Sequence, residues 1–503
     1  MMKGKNLKSL FIIIIITAIL FYFMLPAINL HNPAFWLFVI WIAFLALGVR
    51  FIFDIIDFYN SRQHFYGLEN ILVIAPSGRL LLFIGMIAIV FTGLLIASAP
   101  IFHSNAYTKL IDIKLDGNFQ DDVAVITFNQ IPTLDKQSAQ RLGDRKMGEF
   151  ADLVSQFEVS DDYAQINFQN RPVRVTPLLY GSFFKWLNNR GHGLPGYIMI
   201  DMVTQEGEVI RLDKGIKYSK SDLLGRNIDR HVRFHYPTLM FARDLFEIDD
   251  SGHPYWLYPV EERTIGWFGG KDITGLVVID AITGDSMYYD VGDVPEWIDH
   301  VFPSELILEQ YDFYGAYQNG WLNSIFGQRG VTMTTEGYNF LVIGDDLYVY
   351  TGITSVGRDE SNIGFILTNQ RTKETTYYAI PGSHEFSAMM SAEGAVQHLR
   401  YTATFPLLLN IAGEPTYFIA LKDDGQLVKM YAMVNVRQYN IVATGATVQE
   451  CELHYRRMLS SDPTIGFGEI GNNVVSGVID YIVVYVDGQA YRFVPDSPRR
   501  EEA

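Results

Sequence analysis

The sequence predicts an α+β protein in which an N-terminal three-helix transmembrane region precedes a large extracytoplasmic domain of repeated helix-plus-β-hairpin units. Two observations predict the division. Three almost uninterrupted apolar runs lie within residues 1–101 of the 503, and the remainder is acidic and rich in strand-forming residues. A third observation predicts the repetition, because a Gly-x-Pro element, an aromatic residue, a strand, a Gly-containing turn and a second strand occur in this order three times.

The three apolar runs form the predicted transmembrane region. They cover about residues 10–28, 34–56 and 80–101, and each approaches the roughly 20 residues that an α-helix needs to cross a bilayer. The first run follows a basic segment, as in a signal peptide, but no clear A-x-A cleavage site precedes the second run. We therefore expect an uncleaved multi-pass anchor in the cell membrane, with the lipid bilayer as its partner.

The flanking charges predict the orientation of these spans. Lys3, Lys5 and Lys8 precede the first span. Arg50 lies near the end of the second span, and Arg62 and Arg79 lie in the connection between the second and third spans. The connection 29–33 between the first two spans carries no Lys or Arg. Because basic residues concentrate on the cytoplasmic side, the N-terminus and residues 57–79 are expected there, and residues 102–503 are expected to be extracytoplasmic.

The composition narrows the possible partners and cofactors. The chain has a net charge of −17, and residues 102–503 hold 33 of its 39 basic and 53 of its 56 acidic residues. This acidic balance argues against nucleic acid, because phosphates are bound by basic surfaces. The single cysteine, Cys451, excludes a disulfide framework within the chain and a cysteine-based zinc site. No cofactor and no metal is predicted.

The outer part divides into five predicted segments. A membrane-proximal α/β segment is expected first, with Asp135 placed to cap a helix over 136–157. Two repeated units, a β-rich connection, a third divergent unit and a C-terminal hairpin with a charged tail follow. The expected segments are 102–176, 177–300, 301–385, 386–450 and 451–503.

The repeated unit is defined by its hairpins. The element Gly413-x-Pro415 opens a hairpin whose turn contains Gly425, a residue suited to positive φ. Similar elements occur at Gly193-x-Pro195 and Gly252-x-Pro254. Pro177 and Pro237 lie 60 residues apart and predict helices over 178–189 and 239–246 ahead of these two hairpins.

One of these units resembles a known module. The stretch His253-Pro-Tyr-Trp, followed by Gly275-Leu-Val-Val-Ile-Asp and the turn to Gly284, resembles the PepSY-type module. The chain as a whole resembles three-span cell-envelope proteins of Gram-positive bacteria. The resemblance implies modules outside the membrane that bind or inhibit a partner and do not catalyse a reaction.

Residues that resemble catalytic or metal-binding motifs have ordinary structural interpretations. His231 and His235 are four residues apart, but the Glu of an H-E-x-x-H zinc motif is missing, so packing is expected. Ser383-His384-Glu385 and Ser460-Ser461-Asp462 lie outside any G-x-S-x-G motif. The paired aspartates, such as Asp423-Asp424, are interpreted as solvated turns in preference to Ca²⁺ sites because no EF-hand loop is present.

The aromatic residues give the only candidate binding site. Tyr and Trp provide rigid contact area that is also partly polar, although Tyr is common in strands for structural reasons alone. The predicted groove for a peptide or glycan consists of Tyr255, Trp256, Tyr258, Tyr348, Tyr350, Tyr377 and Tyr378.

The sequence therefore favours a membrane-anchored, non-enzymatic cell-envelope protein whose outer modules bind a protein, a peptide or a wall polymer. Two alternatives stay open. One is an accessory subunit of a membrane complex, and the other is an envelope hydrolase without a recognisable motif.

Overall fold

The computed structural model of the chain describes residues 2–61, 76–123, 131–356, 361–461, 482–486 and 489–493. Contacts divide the chain into two compact units, Met1–Met458 and Leu459–Ala503. The first unit is a mixed α+β structure with a large β-rich domain, as the sequence predicts at this level of detail.

Four helices form the N-terminal region: α1 (Met2–Met24), α2 (Pro33–Ser61), α3 (Pro76–Ala97) and α4 (Pro100–Tyr107). Helix α2 packs against α1 and α3. Among the described helices, Pro33–Phe53 alone is long and apolar enough to cross a membrane by itself, and Leu81–Ala97 passes the same test together with Pro100–Tyr107, at a bend of 44°. Lys8–Met24 is apolar but shorter. These helices are compatible with a membrane anchor near the N-terminus.

Beyond β1 (Ile113–Lys114) and the short helix α5 (Phe119–Asp122), the chain forms four modules with one strand order. In every module the first and second strands both pair with the third, the third pairs with the fourth, and the fourth pairs with the fifth, all antiparallel. A helix precedes each set of five strands, so we name the modules A (136–216), B (228–290), C (304–378) and D (385–445).

The first two modules have these bounds. Module A contains α6 (Lys136–Gly148), α7 (Ala151–Val154), β2 (Phe157–Val159), β3 (Ala164–Phe168), β4 (Arg171–Tyr180), α8 (Phe183–Asn189), β5 (Leu194–Asp201) and β6 (Gly207–Ile216). Module B contains α9 (Ile228–His235), β7 (Met240–Phe241), β8 (Leu245–Ile248), β9 (Pro254–Ile265), β10 (Gly269–Asp280) and β11 (Ser286–Asp290).

The last two modules follow directly. Module C contains α10 (Ser304–Tyr317) and the five strands β12 (Thr332–Thr334), β13 (Asn339–Ile343), β14 (Asp346–Ser355), β16 (Gly364–Asn369) and β17 (Thr375–Tyr378). The short strand β15 (Ser361–Asn362) lies between β14 and β16 in the chain and pairs outside the module with β18 (Gly382–Ser383). Module D contains α11 (Glu385–Ala395), β19 (Thr402–Ala403), β20 (Leu407–Ile411), β21 (Glu414–Lys422), β22 (Val428–Asn435) and β23 (Val442–Gly445).

The same side-chain-to-backbone hydrogen bonds end the fourth strand of every module. The strand finishes on Asp or Asn, whose Oδ1 accepts hydrogen bonds of 2.7–3.1 Å from the backbone N–H groups two and three residues later. A short polar side chain is suited to this turn because it replaces the backbone acceptor that the strand has lost. The four residues are Asp201, Asp280, Asn369 and Asn435.

These pairings change the predicted alignment of the hairpins. Gly252-x-Pro254 and Gly413-x-Pro415 both open the third strand of a module, whereas Pro195 lies in β5, the fourth strand of module A. The predicted helix 178–189 is wrong in its first part. Strand β4 continues to Tyr180, and α8 begins only after Ser182, whose side chain accepts from Lys185 N. Alternating apolar residues over 173–180 outweigh the helix-starting tendency of Pro177.

Further details correct the predicted boundaries. Residues 239–246 contain β7 and the start of β8, and the helix of module B lies earlier, at α9. Asp135 caps α6 as predicted, with Oδ1 accepting from Ser138 N at 2.9 Å, but the helix ends at Gly148. In the 423–427 turn the positive φ of 63° is at Gln426 and not at Gly425.

Sheet B lies between the sheets of modules A and C. Along β9 and β10, Trp256, Tyr258 and Val277 belong to a core shared with Leu178 and Ile198 of module A. The residues that alternate with these along the two strands belong to a second core with Ile307 and Val349 of module C; they are Leu257, Leu276 and Val278. Because side chains alternate along a strand, both faces of this sheet are buried. The second compact unit contains the antiparallel pair β24 (Ile482–Val486) and β25 (Gln489–Phe493), which lies in the segment expected to hold a C-terminal hairpin. Residues 487–488, between the two strands, and the expected charged tail lie outside the described residues.

Candidate functional site

A cavity of about 300 Å³ lies where the four modules meet. Its wall includes Arg174 from module A, Arg243 from module B, Tyr338 from module C and Phe405 from module D. His300, in the connection before module C, also lines it. Ligand pockets in proteins commonly begin at this size, and they often form where separate structural units join.

Bonds between modules hold the cavity walls together. Lys422 of β21, whose side chain is only 5% exposed, bonds from its Nζ to Oδ2 of Asp135 at 2.7 Å and so joins module D to the N-cap of the first helix of module A. Asn339 of module C donates through Nδ2 to the carbonyl oxygens of Phe405 and Pro406, each at 3.3 Å. Burial opposes ionisation of Asp135, but hydrogen bonds from Lys422 and Ser138 outweigh it and lower the pKa of this carboxyl group.

The side chain of Arg174 is the most unusual group in the wall. It lies in β4 between Val173 and Val175, which belong to the core between modules A and B, so alternation directs it to the opposite face. Its Nη2 donates to Oε1 of Gln165, the residue directly opposite on β3, at 3.1 Å. The residue is 7% exposed, and burial lowers the pKa of the guanidinium to about 10.

A second cation lies in the first turn of α6. Lys136 lines the cavity and follows the capping residue Asp135. Burial lowers the pKa of its ammonium group, and the positive charges of Arg243 and Arg174 lower it further against the attraction of Asp162. Three cationic side chains therefore influence one another at this junction, in a chain whose net charge is −17.

A histidine–glutamate pair borders the same cavity. Nδ1 of His300 lies 2.5 Å from Oε1 of Glu247, which is fully buried in β8. The other oxygen of Glu247 accepts from the backbone N–H of Asp299 at 3.3 Å. Burial, reinforced by the charge of Glu247, raises the pKa of Asp299. A carboxylate that orients an imidazole supplies two of the three members of a catalytic triad, but among the described residues no hydroxyl group bonds to the second ring nitrogen of His300.

The structure disperses the seven aromatic residues of the predicted groove. Trp256, Tyr258, Tyr350 and Tyr378 are 0–4% exposed. The first three bond to Tyr218 O, Asp229 Oδ1 and Pro406 O, which are interior hydrogen bonds of the fold.

The other three residues of the predicted groove, Tyr255, Tyr348 and Tyr377, are half-buried. Tyr348 and Tyr378 share a shallow depression next to Asp122, and the strand that carries Tyr255 belongs to another sheet. None of the seven lines the cavity between the modules. Tyr and Trp are common in β-strands, and packing within the sheets accounts for the positions of the buried residues among the seven.

The remaining sequence candidates have structural roles. Nε2 of His231 bonds to the carbonyl oxygen of Gly284 at 2.8 Å, and Nδ1 of His235 bonds to the carbonyl oxygen of His231. In the part of the chain that the structure describes, no group of three or more His, Cys, Asp or Glu side chains is placed to hold a metal ion. Cys451 is buried, and burial raises the pKa of its thiol to about 12.

The cavity residues were missed by the sequence reasoning, although one signal points to them. Arg174 is the single charged residue in the interior of β4, because Arg171 is the first residue of the strand and residues 172–180 are otherwise apolar or neutral. A lone arginine in such a strand is either exposed at an edge or buried for a purpose. Comparison of the chain with protein-family models, with curated proteins and with solved structures finds no match.

Proposed function

We propose that the chain is a membrane-anchored, non-enzymatic binding protein of the cell envelope that holds its ligand in the cavity between modules A to D. The observation that carries this proposal is that residues of all four modules line one cavity of about 300 Å³. A cavity of this size admits a small molecule or the end of a peptide or wall polymer, and it excludes a folded domain.

The proposed anchor consists of three spans, α1, α2 and α3 with α4, and modules A to D on the outer side. The contacts between the N-terminal helices and module B support this arrangement. Trp267, at the tip of the β9–β10 hairpin, donates through Nε1 to Leu30 O at 2.7 Å, and its ring stacks on His31 at 4.6 Å. Oγ of Ser98 accepts from the backbone N–H groups of Trp267 and Phe268.

These contacts agree with the orientation expected from the charges. The α1–α2 connection and the end of α3 both touch module B, so they lie on the same side as the modules. The same connection is the one that lacks Lys and Arg, which is typical of an outer loop. The proposed resemblance of module B to the PepSY-type module also favours a binding role, by resemblance alone.

The test uses the full chain purified from its host membranes in lipid nanodiscs. After washing, bound compounds are released by denaturation and identified by mass spectrometry. Ala420→Leu fills the cavity wall, whereas Ala432→Leu changes a buried alanine on the neighbouring strand that does not line the cavity. We expect the bound compound to be lost from the first variant and kept by the second. Equal retention by both, or a wild-type protein that is folded and holds no compound, contradicts the proposal.

The His300–Glu247 pair favours a second candidate function, an envelope hydrolase that uses His300 as a general base. A panel of ester and amide substrates distinguishes the two functions. Turnover that disappears in His300→Gln supports the hydrolase, and absence of turnover in a wild-type protein that binds its ligand supports the binding protein.

A further inference from the structure

The charges around the cavity do not balance. Asp135 is bonded to Lys422, and Asp162 is shared between Lys220 at 3.3 Å and Arg243 at 3.1 Å. Glu305 accepts from the hydroxyl group of Tyr338 at 3.0 Å. Among the described residues, no carboxylate forms an ion pair with Arg174 or with Lys136. Arg174 is buried and Lys136 is half-buried, and a buried cation without a counter-ion is costly, so such groups are normally paired.

The hydrogen-bonding groups show the same imbalance. Nε of Arg174 and Nε2 of Gln165 are buried and have no acceptor among the described residues. Both groups are donors, and Gln165 is 2% exposed. Helices α6 and α10 also begin at the cavity wall, where Lys136 and Ser304 contribute, and the N-cap residue of α10, Pro303, offers no side-chain acceptor. The missing partner of these donors is therefore a group of acceptor oxygens that carries negative charge.

Another part of the cavity wall has a different character. Leu245, Phe340, Phe405 and Phe418 line it, and they provide apolar and aromatic surface. A ligand complementary to both parts has a charged head and an apolar body. Asp135 and Glu305 also line the cavity and repel a second negative charge, so a singly charged carboxylate fits better than a phosphate dianion.

We propose that the cavity binds an organic carboxylate with an apolar body, and that Arg174 and Lys136 bind its carboxylate group. This inference rests on the proposed function, because it assigns a chemical class to the ligand of the same cavity. Arg174 supplies the planar pair of donors that matches a carboxylate, Gln165 orients the guanidinium from the opposite strand, and Lys136 adds a second positive charge.

The experiment measures binding of three probes to the full chain in nanodiscs by isothermal titration calorimetry. The probes are phenylacetate, the neutral phenylacetamide and phenyl phosphate. Wild-type protein is expected to bind phenylacetate at least tenfold more tightly than either of the others. Arg174→Met and Lys136→Met are each expected to weaken phenylacetate binding at least tenfold, the usual effect of losing a charged hydrogen bond. Arg174→Lys is expected to retain part of the affinity.

Matched controls separate this effect from a general loss of charge. Arg171→Met removes a half-exposed arginine from the same strand, and Lys146→Met removes a lysine from the same helix. Both are expected to bind phenylacetate as wild type does. Equal binding of phenylacetate and phenylacetamide, tighter binding of phenyl phosphate, or unchanged phenylacetate affinity in Arg174→Met overturns the carboxylate assignment.

Failure of this inference differs from failure of the proposed function. If the compound released from wild-type protein is neutral, or if Arg174→Met retains it while Ala420→Leu loses it, the cavity is a binding site and the carboxylate assignment is wrong. If no compound is released and no probe binds, both are wrong.

Discussion

Replacing Arg174 by methionine separates the charge of this side chain from its volume. The pKa of Arg174 falls from 12.5 to about 10 because the group is buried, and one tenfold change in acidity corresponds to 1.36 kcal/mol. Holding the charge in the empty cavity therefore costs about 3 kcal/mol. The variant loses one hydrogen bond to Gln165, worth about 1 kcal/mol. We expect the ligand-free variant to be more stable than wild type by about 2 kcal/mol.

Thermal unfolding of the washed, ligand-free chain measures this difference. With roughly 2.1 cal/mol/K of unfolding entropy per residue and about 310 residues from the start of module A to the end of module D, 2 kcal/mol raises Tm by about 3 °C. Arg171→Met, which removes an exposed ion pair with Asp201 at 3.5 Å, is expected to leave Tm unchanged. A Tm for Arg174→Met that is several degrees below wild type, with the far-UV circular dichroism retained, refutes the reasoning, because it means that the charge is already satisfied within the protein.

Three further predictions concern stability and pH. Lys422→Met leaves the half-buried Asp135 without its cation and is expected to destabilise the chain by about 3 kcal/mol. Lys429→Met, at an exposed pair with Asp423, is expected to leave the midpoint of chemical denaturation unchanged. The pKa of Asp135 is lowered in the folded state, so the ionised carboxylate stabilises the fold above its unfolded pKa, and this stabilisation is lost as pH falls through the folded pKa. Wild type is therefore expected to be more stable than Asp135→Asn at pH 7, and the difference should vanish in acid. A difference that stays constant with pH contradicts this prediction. Gly196→Ala places a Cβ 1.8 Å from Ile210 O and is expected to cost more than about 2 kcal/mol, while Gly148→Ala, with nothing within 4 Å, should be neutral or stabilising in the same denaturation assay.

Local sequence patterns predicted several individual helices and strands, but they did not align the repeated modules correctly with one another. The helix cap at Asp135 and the hairpin that follows Gly413-x-Pro415 are confirmed, because each is determined by a pattern over a few residues. Gly-x-Pro was a poor marker of the repeat, since it opens the third strand in modules B and D and the fourth in module A. The terminal Asp or Asn of the fourth strand, such as Asp280, is a better marker, because the turn after it needs that side chain.

The cavity was beyond prediction from local patterns. Arg174 and Phe405 are more than 200 residues apart in the chain, and they line one cavity only because the modules pack together. The predicted groove failed for the opposite reason. Tyr350 and Trp256 were selected by residue type, but their hydroxyl and indole N–H groups bond to backbone carbonyls inside the fold. Burial of a polar aromatic residue with a partner is ordinary packing, and it carries no information about ligands.

The central claim is that an anionic ligand occupies the cavity between the modules. A cryo-electron microscopy map of the full chain, purified from its host membranes without added small molecules, tests it most directly. The account predicts density that is not protein inside the cavity, with its polar end within about 3 Å of Arg174 and of Lys136 and its body against Phe340 and Phe418. A cavity that contains only water, or a guanidinium group of Arg174 paired with a carboxylate of the chain itself, contradicts the account.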